Sequence, residues 1–400
     1  MRKRKAVIGA SLATVVAGAG VAVLASTQNA SAATVYTVAP YVDLSANSAG
    51  MLDTAIAQGG VNSYTAAFII GSGCTPIWGD TLGIDNSTAN ARIARAEAAG
   101  AKTIISFGGA GGAELGQSCT SQSSLQAAYQ AVINKYKVTH LDFDIEGAAI
   151  ADTASIDRRF KAIKGLENAN AGLSVSVTIP VLESGPDGNG SAFLHNAATN
   201  GVKLDIINAM TMDYGHANSN MAGAAETAAA GTLSAARAAG LSVTYANIGI
   251  TPMIGNNDSP GEVVTQANAQ TIVNWAHSNG IGRLAFWSLG RDQPCAGGGV
   301  SPNCSGLGGN TLDFTKIFTG GGGTNPPPTT PPTTRTTTPP TTPPTTPPTT
   351  PAGSTTWVVG HAYKVGDVVT YQGVSYRCLQ AHTSQSDWTP PAVPALWQRL

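Results

Sequence analysis

Polar and apolar positions alternate in short runs along the first three-quarters of the chain, and longer stretches of helical periodicity separate those runs. Period-two or continuous apolar runs predict strands over Val38–Val42, Tyr64–Ile70, Thr103–Phe107, His140–Ile145, Leu173–Ile179, Leu204–Met210, Ser242–Ile248 and Arg283–Trp287. Between them, Ser87–Ala99, Ser123–Tyr136, Ile156–Glu167 and the Ala-rich Met221–Ala239 predict helices. Eight strand-helix units over residues 33–320 predict an α/β fold, a (β/α)8 TIM barrel. An open doubly wound sheet is the alternative. Against it, Gly108-Gly-Ala-Gly-Gly112 does not complete the dinucleotide pattern and there is no P-loop.

One run departs from the others. In Thr139-His-Leu-Asp-Phe-Asp-Ile-Glu-Gly147, the acids Asp142, Asp144 and Glu146 alternate with Leu141, Phe143 and Ile145. Period two puts all three carboxylates on one face. A wet surface strand is the plain reading, but adjacent like charges on one face repel. In a barrel the apolar set faces the helices and the acids face the lumen, with Glu146 at the carboxyl-terminal rim. Buried acids are costly, so Asp142 and Asp144 are expected to share a proton or hydrogen bond, which raises one pKa.

Composition narrows the function. The charged fraction is 11% and the formal net charge −1, and no basic stripe follows Met1-Arg-Lys-Arg-Lys5, so a nucleic-acid partner is not expected. Those basic residues precede an apolar run, Ala6–Ala25, and a small-residue site at Ala30-Ser-Ala32. Residues 1–32 are read as a secretory signal peptide and the protein as secreted, with no membrane partner; a membrane anchor is the alternative. Export permits disulfides, and Cys295 with Cys304 and Cys74 with Cys119 are the expected pairs, leaving Cys378 over. No cysteine spacing suits zinc; neither a metal nor a cofactor is expected. Residues 321–354 collapse to Gly, Pro and Thr and read as an extended linker. Residues 355–400 carry six aromatics and the alternating runs Asp367–Tyr371 and Val374–Cys378, which predict a small antiparallel sheet.

The acidic run resembles the D-x-x-D-x-D-x-E signature of glycoside hydrolase family 18, the chitinases and related endoglycosidases. Ser106-Phe-Gly-Gly109 is similar to that family's S-x-G-G, Met212-Asp-Tyr214 to its M-x-Y, and Trp287 closes the eighth strand. Two positions depart: the first Asp of the signature falls at Thr139, deep in the barrel, and Gly215 follows Tyr214 where many members have Asp. The resemblance implies a retaining mechanism in which the sugar's own N-acetyl oxygen attacks its anomeric carbon. Glu146 would be the acid and later the base, Asp144 would hold the acetamide, Asp142 would tune Asp144, and Tyr214 would bind the acetamide oxygen. Ser106, Gly108, Gly109, Met212, Asp213 and Trp287 would contact substrate. The spacing agrees, because an ordinary retaining enzyme needs a second carboxylate about 5–5.5 Å across the bond, whereas Asp144 lies beneath Glu146 on the same strand. The implied partners are chitin and chitooligosaccharides, the implied action is endo because only about 35 residues separate strands seven and eight, and a monomer is expected. An endoglycosidase acting on N-glycans and a non-catalytic chitin-binding lectin remain alternatives. The tail resembles carbohydrate-binding module family 5/12; Trp388 and, more weakly, Tyr363 are its candidate sugar-stacking residues, with Trp357, Tyr376 and Trp397 in its core.

Overall fold

In the computed structural model, the described residues are 35–320 except 80, 81, 296 and 297, and 355–399 except 360, 365, 379–381, 385–388 and 391–396. The signal-peptide and linker assignments lie outside them. The chain divides into two units between Asn325 and Pro326.

The first unit contains strands β1 (Tyr41–Asp43), β2 (Ser63–Ser72), β3 (Thr75–Trp78), β4 (Leu82–Gly83), β5 (Lys102–Gly108), β6 (His140–Asp144), β7 (Ser174–Pro180), β8 (Ile206–Met210), β9 (Ile248–Thr251), β10 (Gly255–Asn256), β11 (Val263–Val264) and β12 (Arg283–Leu284). Helices α1 (Met51–Gly59), α2 (Ser87–Ala98), α3 (Leu115–Ser118), α4 (Gln122–Tyr136), α5 (Thr153–Ala169), α6 (Gly188–Thr199), α7 (Met221–Ala238), α8 (Gln266–Asn279) and α9 (Asp313–Thr319) surround them. Parallel pairing runs β1-β2-β5-β6-β7-β8-β9-β12. The Val38–Leu284 bridge, with Tyr41 N donating to Phe286 O at 3.1 Å, returns the last strand to the first. Closure removes the exposed edges of the sheet, and the fold is the predicted TIM barrel.

Alternation decides what each strand buries. Leu141, Phe143 and Ile145 face the helices and are at most 1% exposed. Phe107 stacks on Phe143 with ring centroids 5.3 Å apart, and Tyr129 of α4 meets both edge-on. Sharp turns after β6 are made by Gly147, whose φ is +55°, and by Asp152, which caps α5 by accepting from Ala154 N and Ser155 N. The expected seventh strand is displaced: Ser242–Asn247 form loop and a short helical turn, and the strand is Ile248–Thr251. Its residues pair with Ile207–Met210, so register with β8 rather than local propensity sets its position. β12 is likewise shorter than predicted, and Trp287 lies beyond it, bridged to Met253.

Both expected disulfides are present, Cys74–Cys119 and Cys295–Cys304. The first joins the turn after β2 to the end of α3.

The second unit is a small sheet, β13 (Thr355–Thr356), β15 (Val368–Tyr371), β16 (Val374–Cys378) and β18 (Trp397–Arg399), beside the pair β14 (Ala362–Tyr363) and β17 (His382–Thr383). Gln372 and Gly373, with φ of +48° and +80°, turn the β15–β16 hairpin. Trp357, Tyr376 and Trp397 form its core as predicted. Tyr363 is a correction. It is 3% exposed and packs edge-on against Trp397, so it belongs to that core and presents no face to a sugar. Trp388 lies outside the described residues.

The Cys74–Cys119 bridge closes a separation of 45 residues, for which loop entropy gives about 4 kcal/mol. The double substitution to Ser should lower the unfolding free energy by about 2–4 kcal/mol in denaturant titration; a loss below about 0.5 kcal/mol would mean the β2–α3 junction is held by packing alone.

Candidate active site

A cavity of about 220 Å³ opens among the carboxyl-terminal strand ends, lined by Tyr41, Phe68, Ala110, Asp144, Glu146, Thr178, Met210, Met212, Asp213, Thr251, Met253, Asp258 and Trp287. A larger groove, about 670 Å³, lies at the opposite end of the barrel among Tyr36, Lys102, Lys137 and Thr139. The smaller one is the candidate site, because it alone receives the inward acids of β6.

Asp142 lies deepest of the three acids, 1% exposed. Its Oδ2 accepts from Ser106 Oγ at 2.7 Å and Tyr41 Oη at 3.0 Å, and its Oδ1 from Ser176 Oγ at 2.7 Å and Thr178 Oγ1 at 3.0 Å. β1, β5 and β7 thus each contribute hydroxyls to one carboxylate. Below it, Arg283 of β12 donates to Ser176 Oγ at 2.9 Å, and Asn208 of β8 donates to Thr178 Oγ1 at 3.1 Å. Four hydroxyl donors take the place of water around that buried carboxyl.

The expected partnership of Asp142 with Asp144 is corrected. The hydroxyl cage occupies Asp142, and Asp144 instead hydrogen-bonds Glu146. Burial, then the charges of Glu146 and Asp142, push the Asp144 carboxyl well above its ordinary pKa. Glu146 is also raised, first by burial and further by the Asp213 charge, although its bond to Asp144 pulls the other way. Both outer carboxyl groups are thus shifted toward holding a proton, and they titrate as a pair. Asp144 Oδ1 has no hydrogen-bond partner. Glu146 lies two residues past the end of β6, half-buried.

Gly108 and Gly109 adopt φ of +102° and +84°, and a Cβ at Gly108 would lie 2.0 Å from Asp144 O. That close approach needs glycine. Trp287 stacks on Phe68 with centroids 5.6 Å apart and planes 15° from parallel, forming an aromatic wall. Met212 and Asp213 line the cavity, and Asp213 Oδ1 accepts from Ser259 N at 2.8 Å. Ser106 serves Asp142 rather than the cavity. Tyr214 is not among the lining residues; it packs with Val181, Met221 and Val264, and its hydroxyl is buried without a partner. Thr139 is an exposed residue on the helix-facing parity of β6, not deep in the lumen.

Tyr41, Phe68, Ser176, Thr178, Asn208 and Arg283 escaped the sequence reading. The small polar residues were recoverable: Ser174-Val-Ser-Val-Thr-Ile179 alternates with the same period as β6, which puts Ser176 and Thr178 in the lumen.

The profile of carbohydrate-binding module family 5/12 matches residues 356–398. The chain is 33% identical over 290 residues to a probable bifunctional chitinase/lysozyme of Escherichia coli, covering 67% of this chain and 32% of that protein. It is 32% identical over 276 residues to Endochitinase 11 of Metarhizium anisopliae, covering 64% and 53%. The chain thus spans about a third and about half of these relatives. The crystal structure of the catalytic domain of a hyperthermophilic chitinase from Pyrococcus furiosus superposes with a TM-score of 0.66 at 31% identity, covering 72% of this chain and 96% of that one.

Asp213→Asn removes a charge that holds the Glu146 proton. Carboxyl-carbon NMR should show the Glu146 titration midpoint move to lower pH. An unmoved midpoint would mean that burial alone sets it.

Proposed function

Since the chain belongs to glycoside hydrolase family 18 and carries a family 5/12 carbohydrate-binding module, we propose that it hydrolyses the β-1,4 bonds of chitin by substrate-assisted retention. The observation that carries this reading is the hydrogen-bonded Asp144–Glu146 pair at the cavity, above an Asp142 whose two oxygens are fully hydrogen-bonded.

With an N-acetylglucosamine residue over the Trp287–Phe68 wall, the Asp144 carboxyl exchanges Glu146 for the acetamide N–H. Its proton passes to Glu146, and its own charge then faces the developing oxazolinium ion. Glu146 protonates the glycosidic oxygen as the acetamide oxygen attacks the anomeric carbon. The leaving sugar departs, and Glu146, now a carboxylate, takes a proton from the water that opens the oxazolinium ring. Configuration is retained through two inversions. Asp142 touches no reacting atom; it is a positioning residue that adds to the burial and the Glu146 charge that raise the Asp144 pKa.

Activity needs the proton on Glu146, whose pKa is raised, so activity falls as pH rises through that pKa. Among the described residues, a short hairpin, β10–β11, and one helix separate β9 from β12, which supports an open groove and internal cleavage. The two disulfides support an oxidising, extracellular setting for the signal peptide read at residues 1–32.

Glu146→Gln should lower kcat on chitin oligomers about a hundred- to ten-thousandfold while leaving oligomer binding within a few-fold. Hydrolysis at the wild-type rate would remove Glu146 from the acid role. On end-reduced oligomers, internal products should appear from the first time points, and steady release of dimers from one end would refute the open groove.

A further inference from the structure

The walls of the catalytic cavity carry one sign of charge. Asp144, Glu146, Asp213 and Asp258 line it, and no Lys, Arg or His does. That it is built for a ligand stands on separate ground. Asp144 Oδ1 and Thr251 Oγ1, on lining residues 5% and 2% exposed, have no hydrogen-bond partner. Such groups are left unpaired at a cost that a polar ligand removes.

The four acids divide by task. Asp144 and Glu146 serve the chemistry. Asp213 and Asp258 are exposed, belong to the loops after β8 and β9, and are linked through Ser259, whose N–H holds Asp213 Oδ1 at 2.8 Å. Neither forms an ion pair among the described residues. The cation whose field reaches both is Arg291, and it is buried, donating to the carbonyl oxygens of Ile254, Asn256 and Ser301. It offsets part of their negative field without occupying either carboxylate.

Substrate-assisted attack requires an N-acetyl group on the sugar that Asp144 holds, so a free amine is excluded there. On the other side of the cleaved bond no such requirement exists. Asp213 lines the same cavity as Glu146, the group that protonates the bridging oxygen, and its charge reaches that carboxyl. Resting on the mechanism proposed above, we infer that Asp213 and Asp258 form a cation-selecting subsite for the leaving sugar, which takes glucosamine with its protonated 2-amino group. The preferred substrate is then a partly deacetylated chitin chain, cut where an acetylated residue precedes a deacetylated one.

Each cleavage leaves a new reducing end from the sugar held by Asp144 and a new non-reducing end from the leaving sugar. The enzyme should be given a partly acetylated chitosan and both kinds of end identified, by heavy-oxygen labelling of reducing ends with mass spectrometry and by proton NMR. Glucosamine should be enriched at new non-reducing ends about two- to fivefold over its share of the polymer, the range one exposed ion pair supplies, and raised salt should diminish the bias. Asp258→Asn, at an exposed position where folding is not at stake, should reduce the enrichment, and the Asp213→Asn/Asp258→Asn pair should abolish it. Random non-reducing ends beside uniformly acetylated reducing ends would overturn the subsite while sparing the mechanism, as would a bias that survives the double substitution. Glucosamine at new reducing ends would overturn the substrate-assisted mechanism, and the subsite with it.

Discussion

The organisation of the barrel depends on solvating one charge without water. Asp142 sits in the lumen at 1% exposure, and four hydroxyls from three other strands converge on its two oxygens. A carboxylate in that position with fewer donors would be costly enough to neutralise itself or open the lumen. Its donors come from β1, β5 and β7, so the same bonds that stabilise the charge also fix how these strands sit around β6. Arg283 and Asn208 extend the network downward to β12 and β8.

The outer two acids of this face have raised proton affinity. Asp144, next outward from Asp142, is raised by burial first, then by the charges of Glu146 and Asp142. Glu146, where the cavity opens, is raised by burial as well. Asp213 adds a further negative charge from the facing loop and strengthens the hold of Glu146. The arrangement supports the proposed chemistry because a group that must give up a proton to a weakly basic oxygen needs to hold it at ordinary pH.

Much of this was legible from period and spacing. The inward face of β6, the outward Leu141, Phe143 and Ile145, and both disulfides follow from local sequence and simple geometry. What escaped depended on register between strands far apart in sequence. The Asp142–Asp144 partnership expected from adjacency gave way to hydroxyls donated from across the lumen. β9 lies several residues beyond its most strand-like stretch because its pairing with β8 outweighs propensity. Tyr214 follows Asp213, whose φ of +51° redirects the chain, so the tyrosine packs against α7 while its neighbours line the cavity. In the second unit, Tyr363 could not be told from a binding aromatic until its contact with Trp397 was known. In so small a domain, aromatic residues must also supply the core.

The central claim is that the substrate's acetamide, steered by Asp144, is the nucleophile. The direct measurement is the rate of hydrolysis of a series of chito-oligosaccharide glycosides whose cleaved sugar carries acetamido, fluoroacetamido, difluoroacetamido or trifluoroacetamido groups. Fluorine draws electrons from the attacking carbonyl oxygen, so the account predicts a steep, regular fall in kcat along the series. Rates independent of fluorination would contradict it.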